Sequence, residues 1–358
     1  MVRLSRAETQ ERNRAKVLSA AREEFGERGF REAKIDVIAE RAELTRGAVY
    51  SNFPGKRALY FAVLADLAER APRPATPPPD AGASDVLAAF ARAWVARLPL
   101  ATDSDSADAR LGRDLLPEIL ADEHTRRPFA QLMRVNAILL GLALERRRPG
   151  RRLVRVAEAA LTTLHGASQL AAAAPGFGEP FHIVSACAAL LNLDLTDHWP
   201  ATPPIVSQAR ATDEPWSPPP AADLLTGETV RPGDGDGVVA VLGLHRAAAF
   251  EEAVRAGADV TAVLVTSDPG ELAPLARLAV ADLRSCLDQA ITPPDRPRLR
   301  LVCDPNGDLA AAAGVTAVSD ATETAVRVEG GRIVSRAEGF GACHAAAVGS
   351  GPARSSGG

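Results

Sequence analysis

The stretch LTRGAVYSNFPGKRALY, residues 44–60, decides how the N-terminal part of the chain is read. It gathers Thr45, Arg46, Tyr50, Ser51, Asn52, Lys56 and Arg57 around a few apolar residues, and it stops at Pro54-Gly55. Gly47 sits where a helix prefers Ala. Val49 and Phe53 are four apart and face inward together, which leaves Gly47, Tyr50 and Ser51 on another face. Small residues at Gly47 and Ala48 let the backbone approach a groove. Tyr50 and Ser51 can donate to phosphates or base edges, and Lys56 opens the next helix where a phosphate is within reach. A core helix is not composed this way, whereas a helix lying in the major groove of duplex DNA is.

Working outward, Leu18, Ala21 and Phe25 recur at helical spacing before Gly29, a helix stop. Ile35, Ile38 and Ala39 mark a second helix running to Ala42. Glu43-Leu44 then form a tight turn, and Thr45 caps the third helix with its hydroxyl. Two short helices joined in this way make a helix-turn-helix. Leu59, Val63 and Leu67 place a fourth helix over 56–70. Residues 1–70 hold 14 Lys/Arg against 11 Asp/Glu, a net of +3, so the remainder of a chain of net charge −4 carries −7. Positive charge concentrated at the N-terminal end points to a nucleic-acid contact there.

The ordered motifs AREEFGERGF and IDVIAERAELTRGAVYSNFPGKRAL resemble the tetracycline-repressor (TetR/AcrR) family of transcriptional regulators. The resemblance covers about residues 10–70. It implies a cytoplasmic homodimer that binds a palindromic DNA operator, acts as a repressor and is released by a small-molecule effector. It places the DNA contacts at Lys34, Thr45, Arg46, Gly47, Ala48, Tyr50, Ser51, Asn52 and Lys56. Two departures stand out. Glu43 occupies a turn position where the family usually has Gly, and Ala33-Lys34 replace the usual Thr cap of helix two. Lys34 is then the electrostatic substitute for the lost phosphate contact.

Two proline-rich breaks, 71–84 and 199–236, read as extended linkers. Between them, residues 85–198 are Ala- and Leu-rich with helical periodicity, which predicts a helical ligand-binding and dimerisation domain. Asn136, His165, Ser168 and Gln169 are the polar candidates for orienting a mostly apolar effector there. A chain ending near residue 200 is expected to dimerise and bind DNA by itself.

Residues 237–348 alternate strands and helices: GVVAVLGL, a helix to Gly257, VTAVLVTS, a helix over about 272–289, RLRLVCD, then a hairpin around Gly330-Gly331. The fold class is therefore multidomain, an all-α N-terminal part followed by an α/β sandwich. CDPNGDLAAAAGV and AVRVEGGRIVSRAEG make this last domain similar to thioredoxin-like or peroxiredoxin-like proteins, with another α/β sandwich as the alternative. The resemblance implies a reactive cysteine near 243–250, where His245 and no cysteine is found. Residues 349–358 read as a disordered tail, and Cys343-His344 as part of a poorly ordered end, with an exposed reactive pair as the alternative.

The four cysteines, Cys187, Cys286, Cys303 and Cys343, form no CxxC, and the histidines form no metal pattern. GDGDG at 233–237 precedes a strand, whereas a dinucleotide loop follows one. No enzyme activity, cofactor or metal is expected. The competing reading is a redox protein or enzyme using the α/β domain, with the helix-turn-helix as its address. Apolar runs such as AILLGLAL are too short to span a bilayer, so no membrane partner is expected.

Overall fold

A computed structural model describes residues 5–71, 82–98, 111–199, 207–292 and 296–349. The chain divides into two compact units that interleave in sequence. One comprises 1–129, 158–193 and 270–291; the other comprises 130–157, 194–269 and 292–358.

The first unit is helical. α1 (Arg6–Glu32) starts from a capping box in which the Glu8 amide donates to Ser5 Oγ and the Ser5 amide donates to Glu8. Its helical geometry breaks at Gly29, whose φ of 75° lies in the left-handed region that favours glycine. α2 (Ile35–Arg41), α3 (Arg46–Asn52) and α4 (Lys56–Arg70) follow. Phe25, Phe30 and Tyr60 join α1 to α4, with the Phe25 and Tyr60 rings edge-to-face at 5.4 Å. The remaining helices of this unit are α5 (Ala83–Val95), α6 (Leu115–Leu120), the start of α7 (Glu123–Arg147), most of α8 (Val154–Ala173), and α9 (Pro180–Ala189).

The second unit is built on a six-stranded sheet. Its strands are β1 (Arg210–Pro215), β4 (Gly237–Gly243), β5 (Val260–Val265), β6 (Leu299–Cys303), β7 (Glu323–Glu329) and β8 (Arg332–Glu338). The order is β1-β8-β7-β4-β5-β6. β4, β5 and β6 run parallel, and the other neighbours pair antiparallel. β4 and β5 are buried almost throughout, as continuous apolar runs in a covered parallel sheet should be. β8 alternates buried and more exposed positions along its length. Gly330 and Gly331 both take positive φ in the tight β7–β8 turn, as a two-residue hairpin demands. A two-stranded ribbon, β2 (Ala221–Ala222) with β3 (Thr229–Val230), adjoins this sheet, and the short helices α10 (Phe250–Arg255), α12 (Asp308–Ala312) and α13 (Ala342–Val348) accompany it. The C-terminal region is thus a mixed sheet with helices, an α/β arrangement.

The structure corrects three sequence expectations. Residues 199–236 are not wholly linker, because β1, β2 and β3 fall there. Trp216, in the proline-rich EPWSPPP, packs with Val239, Val241 and Val263, and its Nε1 donates to Pro232 O at 2.7 Å. Prolines suit this place because β1 is an edge strand, where a missing donor faces no partner. Cys343 and His344 lie in helix α13, and Cys343 is fully buried. Finally, α11 (Leu272–Ala290), although it lies in sequence between β5 and β6, belongs to the helical unit and packs on α4 and α5. The compact unit that carries the helix-turn-helix therefore does not end near residue 200. The tail 350–358 and most of the first break, 72–81, lie outside the described residues.

Candidate nucleic-acid interface

α3 is seven residues long and buries one of them, Val49; Phe53, its C-terminal cap residue, is buried beside it. The Arg14 guanidinium lies over the Phe53 ring at 4.5 Å and anchors this face to α1. Thr45 sits in extended geometry and accepts the Ala48 amide on Oγ1 at 3.2 Å, capping the helix as expected. The turn before it closes through the Leu44 amide, which donates to Ala39 O at 3.0 Å. Glu43 in that turn has φ 56°, the left-handed conformation that glycine adopts more easily. Its carboxylate pairs with Lys16 at 2.8 Å, and this hydrogen bond holds its pKa below the usual range.

Thr45, Arg46, Gly47, Tyr50 and Ser51 are exposed, and Ala48 and Asn52 are half-buried. Arg46 pairs with Asp36 of α2 at 3.3 Å and lies over the Tyr50 ring at 5.6 Å. The side chains of Ser51 and Asn52 both donate back to Ala48 O, at 2.9 and 2.8 Å. Lys56 turns inward: Nζ donates to Arg31 O at 2.9 Å and sits 4.8 Å from the Phe30 ring centroid. Burial depresses its pKa. Lys34 is exposed at the N-cap of α2 and makes no side-chain cap. Lys34, Arg46 and Tyr50 are thus exposed on α2 and α3, whereas Lys56 is engaged by α1.

Sequence reasoning missed Glu24. It is fully buried in α1, accepts the Lys34 amide at 3.3 Å, and pairs with Arg28 and Arg41, each at 3.3 Å. Arg41 also grips Glu27 bidentately. This network fixes α2 on α1 where a capping Thr is absent. A glutamate in AREEFGE gives no sequence signal of burial, because only its partners show it.

The four effector candidates fall in different units. Asn136 is buried in the α/β unit, whereas His165, Ser168 and Gln169 belong to the helical one. His165 packs edge-on against Trp94 at 4.8 Å, and Trp94 Nε1 donates to Ser168 Oγ at 2.9 Å. Burial lowers the His165 pKa, and Arg97 adds to the effect. Gln169 is exposed. None of the four cysteines is in a disulfide. Burial pushes the Cys187 and Cys286 thiols up to about 11 and raises Cys343 well above its ordinary value. A nucleophilic thiol needs the opposite shift. Among the described residues no group of acidic, histidine or cysteine side chains is arranged to hold a metal, and no helix is long and apolar enough to cross a membrane.

A polar seven-residue helix, presented by a capped turn on a three-helix scaffold, defines a helix-turn-helix DNA-binding domain. Residues 17–63 match the sequence model of the N-terminal domain of bacterial regulatory proteins of the tetR family, and the chain carries such a domain. It is 45% identical over 65 residues to the HTH-type transcriptional regulator SrpR of Pseudomonas putida, covering 18% of this chain and 30% of that protein. Identity over 65 residues is again 45% to the uncharacterized HTH-type transcriptional regulator TtgW, also of Pseudomonas putida, covering 18% of this chain and 48% of that one. The chain thus matches less than half the length of these relatives. A solved transcriptional regulator from Rhodococcus sp. Rha1 aligns with 50% of this chain and 94% of its own at 21% identity and a TM-score of 0.31.

Proposed function

We propose that the protein is a transcriptional repressor that binds a palindromic DNA operator as a homodimer and is released by a small molecule. The observation that carries this reading is the face of α3: Arg46, Gly47, Tyr50 and Ser51 exposed, opposite Val49 and Phe53 buried. Lys34 supplies a phosphate contact, Tyr50 and Arg46 reach base edges, and Gly47 with Ala48 permits close approach. Thr45 acts through the cap. Ser51 and Asn52 must give up their bonds to Ala48 O to contact DNA, and Lys56 must leave Arg31 O, so these three are weaker contributors.

One helix-turn-helix reads a half-site, so two copies are needed for an operator. Leu170 at the end of α8 and Phe177, Phe181 and Leu193 around α9 are exposed large apolar side chains, which favours self-association of this unit. The effector reading rests on the Trp94–His165–Ser168 group, an aromatic surface with a polar handle. For the α/β unit we keep the thioredoxin-like reading, supported by a parallel β4–β5–β6 set flanked by the β7–β8 hairpin. The raised thiols argue for a role without thiol catalysis.

Selection of full-length protein against a random duplex library tests the proposal. An inverted repeat is expected, with half-sites about 34–36 Å apart or a multiple of that. Recovery of unrelated sequences, or of a single half-site bound by a monomer, refutes it.

A further inference from the structure

We infer that the α/β unit holds a binding site for a small organic anion, a carboxylate or phosphate carried on an apolar body. The sequence marks the place with ERRRPGRRLVR, residues 145–155, where six arginines accompany one glutamate. Arginines ordinarily lie in solvent. Here the run turns at Pro149-Gly150, with Gly150 at φ 86°, between the end of α7 and the start of α8. It borders a cleft of about 650 Å³, within the range of roughly 300–1,000 Å³ typical of small-molecule sites. Every residue lining this cleft belongs to the α/β unit. Its apolar lining includes Leu142 of α7, Val254 of α10 and Leu299 at the start of β6.

The arginines of the cleft do two different things. Arg152 donates through Nη2 to both oxygens of the buried Glu251 carboxylate, at 2.8 and 3.0 Å, and also pairs with Asp197. Arg255 takes Glu145 at 2.5 and 2.9 Å and shares Glu251 at 2.9 Å. Both guanidinium groups lie over the Trp199 ring, at 5.3 and 6.0 Å. Three carboxylates thus compensate these two cations, which fixes one wall of the cleft in a single geometry. Arg146, Arg151 and Arg298 also line the cleft and are exposed. Apart from Glu145, which Arg255 holds, the one acid lining the cleft among the described residues is Asp259, so three cations face one anion, a net of +2. Arg151 and Arg298 pair with no carboxylate among the described residues. Guanidinium groups bordering one cleft repel each other, and a bound anion removes that repulsion. A carboxylate or phosphate also matches the planar fork of an arginine. The apolar lining then takes the body of the ligand, which a bare inorganic ion lacks. The site rests on neither the DNA-binding nor the thioredoxin-like reading, and it gives the α/β unit a ligand without thiol chemistry.

Isothermal titration calorimetry of the full-length protein tests this with four probes: 1-naphthyl phosphate, 1-naphthoate, inorganic phosphate and the neutral 1-naphthalenemethanol. At least one naphthyl anion should bind at one site per chain with Kd below about 1 mM, and the tighter of the two identifies the head group as phosphate or carboxylate. Inorganic phosphate and the alcohol should each bind at least about tenfold more weakly. Arg151→Glu with Arg298→Glu should weaken the tighter anion by about tenfold or more. Arg134→Glu with Arg231→Glu makes the same change of net charge at exposed arginines outside the cleft and should alter binding less than about twofold. Ala258→Trp, which fills the cleft without changing its charge, should also abolish binding. The inference fails if neither naphthyl anion binds, if the alcohol binds as tightly as the anions, or if the two charge-reversed pairs weaken binding equally. Displacement of the bound anion by duplex DNA of random sequence overturns it too, because these arginines would then contact a phosphate backbone.

Discussion

α3 and α11 belong to the same compact unit and are built on opposite rules. α3 has seven residues and one buried side chain, and its exposed face is polar, basic and aromatic. α11 has 19 residues, of which most, including five leucines, are buried. A helix that buries so little contributes little to the unit's stability and is kept for its surface. A helix that buries so much holds α4 and α5 in place. Substitutions in the two should therefore separate folding from DNA binding.

The largest expected effect is on stability. Leu283→Ala in α11 leaves a cavity against well-packed neighbours and should cost about 2–5 kcal/mol, read by urea denaturation of the full chain. A chain truncated before α11 should lose cooperative unfolding of the helical unit altogether. A cost below about 0.5 kcal/mol at Leu283 would break the comparison, because only surface positions behave that way. Tyr50→Ala should do the reverse: denaturation unchanged within about 0.5 kcal/mol, but affinity for the selected operator reduced about tenfold in a titration. Loss of stability instead would make Tyr50 a packing residue.

Smaller effects sharpen the picture. Glu43→Gly relieves a left-handed backbone and forgoes an exposed ion pair with Lys16; the thermal midpoint should rise by about 2 °C. His165 tests the interior through pH. Burial lowers its pKa in the folded state, so below about 6.5 the unfolded chain takes up the proton and the folded one does not. Its contribution is present above that pH and is lost as pH falls toward the depressed folded value. The thermal midpoint of the parent should accordingly drop more steeply between pH 7 and 5.5 than that of His165→Gln, measured by calorimetry. Parallel curves would mean that the half-buried site does not shift His165 as described.

What the sequence revealed follows from what each element spends its residues on. The exposed face of α3 was legible because polar, basic and aromatic residues with so few apolar ones among them stand in the sequence as an anomaly. Thr45 as cap and Gly330-Gly331 as hairpin were legible because local backbone geometry demands them. The membership of α11 was not legible, since apolar periodicity states that a helix is buried without naming what covers it. β1 hid in a proline-rich stretch because an edge strand needs neither alternation nor a full set of donors. The inward turn of Lys56 was equally hidden: a lysine directly after Pro-Gly looks the same whether it meets a phosphate or Arg31 O. The effector candidates were chosen for polarity in a helical region, and the division into units runs through α7 and α8, which assigns Asn136 to one unit and His165, Ser168 and Gln169 to the other.

The central claim is that α3 reads duplex sequence. The most direct measurement is fluorescence-anisotropy titration of the full-length protein on its selected duplex and on a scrambled duplex of equal length, across a salt series. The account predicts that the selected duplex binds about a thousandfold or more tighter. It also predicts that log affinity falls linearly with log salt for both duplexes, with a slope of roughly −0.9 per phosphate neutralised. Equal affinity for the two duplexes at every salt concentration, or no salt-dependent binding to either, would contradict it.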